Sequence, residues 1–308
     1  MPKWLRSLAI ILSVLGAVTL VSLLPRPSTR PKTPPWPKDI QRFSLSSSDL
    51  SLTLENSDGD WRIKTPIDVI ANEGTVGGFL ASLRSLELEE VLSRRPESFS
   101  LYALDDASGV RLKVWAADAQ KPQEWVIGKD SPSGGHVYVR IGNAPEVYLA
   151  KGLSRSLAGA DLKTWRDTRI LPLPADAPIQ SIRVYRDREN LIFEKSSDTW
   201  TVNGKTVQPE KVDPLLTNLR YLTAEDFVDP PESIPEATEL ATAPTHITVT
   251  LRSGESHDLR IGTPQKGNGS RALIRRDEDP HLMWIDLRHM ELLKVTEKEL
   301  LSKSTPKI

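Results

Sequence analysis

The sequence predicts an α+β chain: two tandem homologous repeats, each an antiparallel meander sheet with one main amphipathic helix packed on it, preceded by a single N-terminal transmembrane helix. Three observations predict it. The apolar positions of one helical pattern, Val76, Phe79, Leu80, Leu83 and Leu86, recur as Val212, Leu215, Leu216, Leu219 and Leu222, each pair 136 residues apart. A long, regular period marks a repeated unit. Short alternating strands separated by turn residues surround both helices, and residues 7–24 form an uncharged apolar run.

In chain order, Lys3 and Arg6 precede that run, whose 18 residues make about 27 Å of helix, just enough for a bilayer core. No small-x-small cleavage pattern follows, so residues 1–24 read as an uncleaved anchor. Basic residues flank both sides, and charge alone does not orient the span. A short tail before a single span is the usual signal-anchor arrangement. It predicts an inner-membrane, single-pass protein with its C-terminal body in the periplasm. Residues 25–39, with prolines at 25, 27, 31, 34, 35 and 37, read as a semi-rigid stalk of polyproline II character.

The first repeat spans 40–171. Phe43 and Leu45, then Leu50, Leu52 and Leu54, alternate as a hairpin, and Trp61–Lys64 follows as a third strand. A helix over roughly Glu73–Leu86 carries Gly74, Gly77 and Gly78, each costing about 1 kcal/mol against Ala, so packing must hold it. A short strand from Val91, a turn at Leu101–Asp106, and strands at Arg111–Trp115, Glu124–Ile127, His136–Ile141 and Val147–Ala150 complete a meander. Residues 172–178 are the linker. In the second repeat, 179–304, Phe43, Leu45, Leu52, Leu54 and Trp61 return as Ile182, Val184, Leu191, Phe193 and Trp200 at an offset of 139. Offsets hold within elements and change between them, because loops absorb length changes.

The balance of 40 basic and 41 acidic residues lacks the basic footprint that nucleic acid requires. There is no cysteine, which removes disulfides, thiolate metal sites and cysteine nucleophiles. The Ser133-Gly134-Gly135 and Gly267-Asn268-Gly269-Ser270 stretches lie between strands with no helix start after them, so they read as hairpin turns, not anion loops. His136, His246, His257, His281 and His289 show no metal-ligand spacing. Asp105 and Asp106 fit a turn. Glu87, Glu89 and Glu90 fit a solvated stretch after the helix, although a carboxylate pair brought together by the fold is invisible to spacing. Trp61 and Trp200 read as core. No catalytic, cofactor-binding or metal-binding residue is assigned, and no cofactor.

The order Trp61-x-x-x-x-Pro66, amphipathic helix, Leu101-Tyr-Ala-Leu-Asp105, Val126-Ile-Gly128, Val137-Tyr-Val139, Val147-Tyr-Leu149 and Trp165-Arg-Asp-Thr-Arg-Ile-Leu171 resembles the domain of unknown function 4340. The likeness covers residues 40–171 well and 179–302 more weakly; the second stretch has Thr238-Glu-Leu-Ala241 in place of the Tyr-x-Leu-Asp turn. The resemblance implies a bacterial, membrane-anchored protein associated with a gliding-type ABC transport system. It supplies no catalytic residue.

These readings lead to one expectation: a membrane-anchored, envelope-facing, non-catalytic accessory or scaffold protein, held in the bilayer through residues 7–24 and acting on a protein partner. An alternative is a module that binds a ligand or envelope polymer in a groove between the repeats. A third reading, an envelope hydrolase, requires clustered carboxylates or histidines in a pocket.

Overall fold

The structure is a computed structural model that describes residues 31–302 other than 118, 175–176, 187–188, 230–239, 266, 268 and 278. The chain divides into two compact units, one ending at Trp165 and the other beginning at Arg166.

The first unit contains β1 (Ile40–Ser46), β2 (Ser51–Ser57), β3 (Asp60–Thr65), β4 (Val69–Ile70), α1 (Glu73–Arg84), β5 (Glu87–Ser93), β6 (Val110–Ala116), β7 (Gln123–Asp130), β8 (His136–Ile141) and β9 (Val147–Lys151). Two single-turn helices follow, α2 (Arg155–Ala158) and α3 (Leu162–Trp165). All nine strands join one sheet in the order β4-β3-β2-β1-β6-β7-β8-β9-β5.

Phe43 lies opposite both Leu54 on β2 and Val114 on β6. The alternation that buries Phe43, Leu45, Leu112 and Val114 therefore builds one apolar face. Helix α1 covers that face with Val76, Phe79, Leu80 and Leu83. It is started by Asn72, whose side chain accepts from Thr75 N at 2.9 Å, the standard way to satisfy an orphan N–H. Phe43, Phe79 and Trp165 pack ring to ring, with centroids 5.2–5.7 Å apart. The opposite face is covered in part by the 96–109 segment, whose Phe99, Tyr102 and Leu104 pack on Val126, Tyr138 and Val147. Burial on both sides explains why Trp125–Gly128 is continuously buried.

The described part of the proline-rich stretch lies against this unit. Thr33 Oγ1 accepts from Leu88 N at 2.9 Å, Gln123 Nε2 donates to Pro35 O at 2.9 Å, and Trp36 stacks on Trp125 at 4.9 Å.

The second unit contains β10 (Ile179–Arg186), β11 (Glu189–Ser196), β12 (Thr199–Val202), β13 (Lys205–Val207), α4 (Pro209–Arg220), β14 (Asp226–Val228), β15 (Thr245–Leu251), β16 (Ser256–Ile261), β17 (Arg271–Arg276), β18 (Leu282–Asp286) and α5 (Glu297–Leu301). Its order, β13-β12-β11-β10-β15-β16-β17-β18-β14, matches that of the first sheet strand for strand. Val212, Leu215 and Leu219 of α4 are buried in a core with Ile182, Val184, Phe193, Trp200, Val249 and Ile274. Ile170, Leu171 and Leu173 belong to this core as well.

The expected α+β class is corrected on three counts. Strands dominate: each unit is a nine-stranded antiparallel sheet with a single twelve-residue helix, not a helix-packed repeat. The sheet is not one meander. The first strand of each unit lies mid-sheet, because both of its edges need backbone partners, and it joins two meanders. The strand after the helix crosses to the far edge. Third, no helix among the described residues is long and apolar enough to cross a membrane. The 7–24 run on which the anchor rested lies outside the described residues. The transmembrane helix and the single-pass inner-membrane placement are withdrawn.

Candidate functional site

The residues weighed from sequence are mostly absorbed by local structure. Ser133–Gly135 closes the β7–β8 hairpin: Gly134 N donates to Ser131 O at 3.0 Å and Ser131 N to His136 O at 2.8 Å. Gly134 and Gly135 adopt φ of 72° and 65°, the left-handed region that suits glycine. Gly267, with φ of 84°, lies between β16 and β17; Asn268 is outside the described residues. Asp105 accepts from Ala107 N and Ser108 N, both at 3.0 Å, an Asx turn, and Asp106 pairs with Arg111 at 2.5 Å. Glu87, Glu89 and Glu90 lie on β5, where Glu89 meets His136 at 3.0 Å. Trp200 is buried, whereas Trp61 is half-buried and packs on Phe43 at 5.3 Å.

Four of the five histidines have acidic neighbours, and two of these pairs adjoin, since Asp258 N donates to Asp277 at 2.7 Å. His136 meets Glu89. His246 Nε2 lies 2.5 Å from Asp258, His257 is 3.3 Å from both Asp277 and Glu255, and His281 Nδ1 is 3.0 Å from Asp229. His289 is exposed. Among the described residues no three His, Asp or Glu side chains group as a metal ion would require.

Sequence spacing missed two constellations, both in the second unit. The first centres on one buried guanidinium. Arg166 is buried, donates to Asp229 and lies over the Phe227 ring at 3.7 Å. Asp229 also meets His281, and Arg276 pairs with Asp279 at 3.0 Å while donating to Ile170 O at 3.2 Å. Burial lowers the pKa of the Arg166 guanidinium, and Asp229 opposes that shift. A guanidinium fixed between a carboxylate and a ring is spent on positioning. The only sequence signal was the Trp165-Arg166-Asp167 segment, which gave no partner.

The second constellation is the outward face of β10, β15, β16 and β17. Tyr185 lies opposite His246, His246 opposite Arg260, and Arg260 opposite Arg275. Directly paired residues share a face, so the four make one row across four strands, about 4.8 Å per step. Arg183 and Thr248 form the next row with Asp258, and Thr248 Oγ1 donates to Asp258 at 2.9 Å. The face carries charged groups, a hydroxyl and an aromatic ring.

Both units are nine-stranded antiparallel sheets of the same strand order. The family model "Domain of unknown function (DUF4340)" matches residues 61–244, more than half of the chain, and the protein belongs to this family. The match begins inside β3 and stops one residue before β15, so it takes in parts of both units. No curated protein matches the chain, and no solved structure does.

Proposed function

We propose that this protein is a non-catalytic accessory or scaffold protein that works by binding another protein, built by duplication of one ancestral sheet domain. One observation carries the reading. The inward positions of both sheets are spent on packing, while the second sheet turns an ordered row of Tyr185, His246, Arg260 and Arg275 outward. Tyr185 of this row is exposed and the other three are half-buried; regularly spaced polar and aromatic groups that reach solvent make a contact surface. An ABC transport system is the first partner to test, on the strength of the family resemblance. The decisive experiment is cross-linking of the tagged full-length chain in cells, followed by purification. Recovery of one protein in near-equal amount supports the reading; no enrichment over an untagged control ends it.

A second reading, binding of a small polar ligand, is favoured by a cavity of about 360 Å³ in the first unit, lined by Ser47, Ser108, Arg155, Ser156 and Asp161 among others. Arg155 reaches Ile127 O at 2.6 Å and Ser108 O at 2.8 Å. A ligand bound there raises the melting temperature, because it binds only the folded state.

A further inference from the structure

Like charges directly opposite one another on neighbouring strands destabilise a sheet. Arg260 and Arg275 are such a pair. Arg260 pairs loosely with Asp258, at 3.9 Å, a carboxylate it shares with His246 and Thr248. Arg275 has no carboxylate partner among the described residues, and its Nε is buried without a hydrogen-bond acceptor. Arg183, exposed one row away, is likewise unpaired among them.

The first sheet carries an apolar residue at the position of Arg260. There Val126 stands opposite Arg140, Arg111 is paired with Asp106 at 2.5 Å, and Arg140 lies over the Phe99 ring at 4.6 Å and donates to Gly142 O at 3.0 Å. Arg140 Nε, like Arg275 Nε, is buried without an acceptor; the difference is the facing residue, since the second sheet places Arg260 where the first has Val126.

Resting on the scaffold reading above, we infer that the Arg260–Arg275 row is the docking surface for an acidic segment of the partner protein, a run of Asp and Glu lying across β10, β15, β16 and β17. Guanidinium groups bind carboxylates in bidentate fashion. The strand spacing presents successive donors at intervals an extended acidic chain can follow, with Tyr185 at the end of the row. Arg183 widens the positive field on the same face.

The test is fluorescence anisotropy of the full chain with a labelled octaglutamate peptide, against octaglutamine as control. Binding that weakens steeply with salt, is absent for octaglutamine, and is about tenfold weaker or more in Arg260→Gln and Arg275→Gln supports the inference. Both variants must melt at or above the wild-type temperature, since each relieves a repulsion; a clear fall shows that the arginines are structural and overturns it. Equal binding by wild type and variants also overturns it. So does saturation of the same residues by inorganic phosphate more tightly than by the peptide, which makes the row a small-oxyanion site. The chain has its own acidic stretch, with Glu232, Glu236 and Glu239. If Glu232→Gln, Glu236→Gln and Glu239→Gln together sharply tighten peptide binding, that stretch is the occupant and the external partner is ruled out. The cross-linking experiment keeps the two proposals apart. A partner recovered equally with Arg260→Gln/Arg275→Gln leaves the scaffold reading standing and removes this surface.

Discussion

Gly128 lies directly against the carbonyl oxygen of Tyr102: a Cβ added to Gly128 would stand 2.2 Å from that atom and 3.0 Å from Leu104 Cδ2. The contact explains why a strand ending in Ile127-Gly128 and a turn at Leu101–Asp105 occur together. The turn packs onto the strand, and only a residue without a side chain lets backbone meet backbone. Gly128→Ala must push the turn off the sheet. The expected cost is about 1–3 kcal/mol or more, the usual range for overpacking. Urea unfolding checks it; a variant within 0.5 kcal/mol of wild type, roughly the effect of an ordinary surface change, means the turn is not held there.

Gly77 and Gly78 are the opposite case. Both are exposed on α1 and nothing lies within 4 Å of where a Cβ would be. Helical propensity then acts alone, and Gly77→Ala and Gly78→Ala should each stabilise by about 1 kcal/mol. An unchanged or lower denaturation midpoint would point to a contact that needs the bare backbone.

The residues that were legible in the sequence are those with a local period. Val76, Phe79, Leu80 and Leu83 on α1, and Val212, Leu215 and Leu219 on α4, are buried at the spacing read from the chain, because a helix repeats its apolar face within a few residues. The first three strands follow for the same reason. The order of strands across the sheet was not legible. β1 pairs with β6 across about seventy residues, and periodicity records which face a residue occupies, not which strand it meets. Strand β5 was read from Val91 and begins at Glu87, because Glu87, Glu89 and Glu90 lend its first half the composition of a solvated loop. The Arg260–Arg275 row was hidden for a related reason. Each arginine looks like an ordinary exposed charge until the register sets them opposite one another.

Trp200 and Trp61 occupy matching places before the helix but differ in burial: Trp200 is 2% exposed and Trp61 is half-buried. Trp200→Ala should therefore cost about 3–5 kcal/mol and Trp61→Ala distinctly less. Chemical denaturation of the two variants side by side reads the difference. Equal losses would show that the Phe43 contact of Trp61 counts for as much as full enclosure.

Arg166 and Asp229 form a pair in which one partner is almost wholly enclosed, at 5% side-chain exposure. Neutralising Asp229 leaves Arg166 without its counter-ion in a poorly solvated place, whereas Asp229 is more exposed and keeps His281 at 3.0 Å when Arg166 is replaced. Asp229→Asn should cost about 3–5 kcal/mol and Arg166→Met less, while the double variant recovers a large part of the Asp229→Asn loss. A double-mutant cycle by urea unfolding measures this directly. Additive losses would mean that Phe227 and the surrounding packing, not the ion pair, hold Arg166 in place.

Asp286 gives the clearest dependence on acid. Its buried carboxylate is held by Arg288, whose Nε and Nη2 donate at 2.6–3.1 Å, and by the Arg288 backbone N–H at 2.8 Å. These bonds to the charged form lower its pKa from 3.8 to about 2. A group whose folded pKa lies below its unfolded value binds fewer protons in the folded state. Its contribution to stability is therefore complete above about pH 4 and is lost as the pH falls through about 2. Asp68, Asp161, Glu297 and Glu299 are shifted the same way by their own hydrogen bonds, so wild-type stability declines over an acid range that several groups share. Asp286→Asn should leave the shape of that decline unchanged above pH 4 and make it shallower between pH 4 and 2. Urea midpoints measured across pH 2–6 for both proteins test this. A variant whose curve runs parallel to wild type throughout would show that Arg288 does not discriminate between the two protonation states of Asp286.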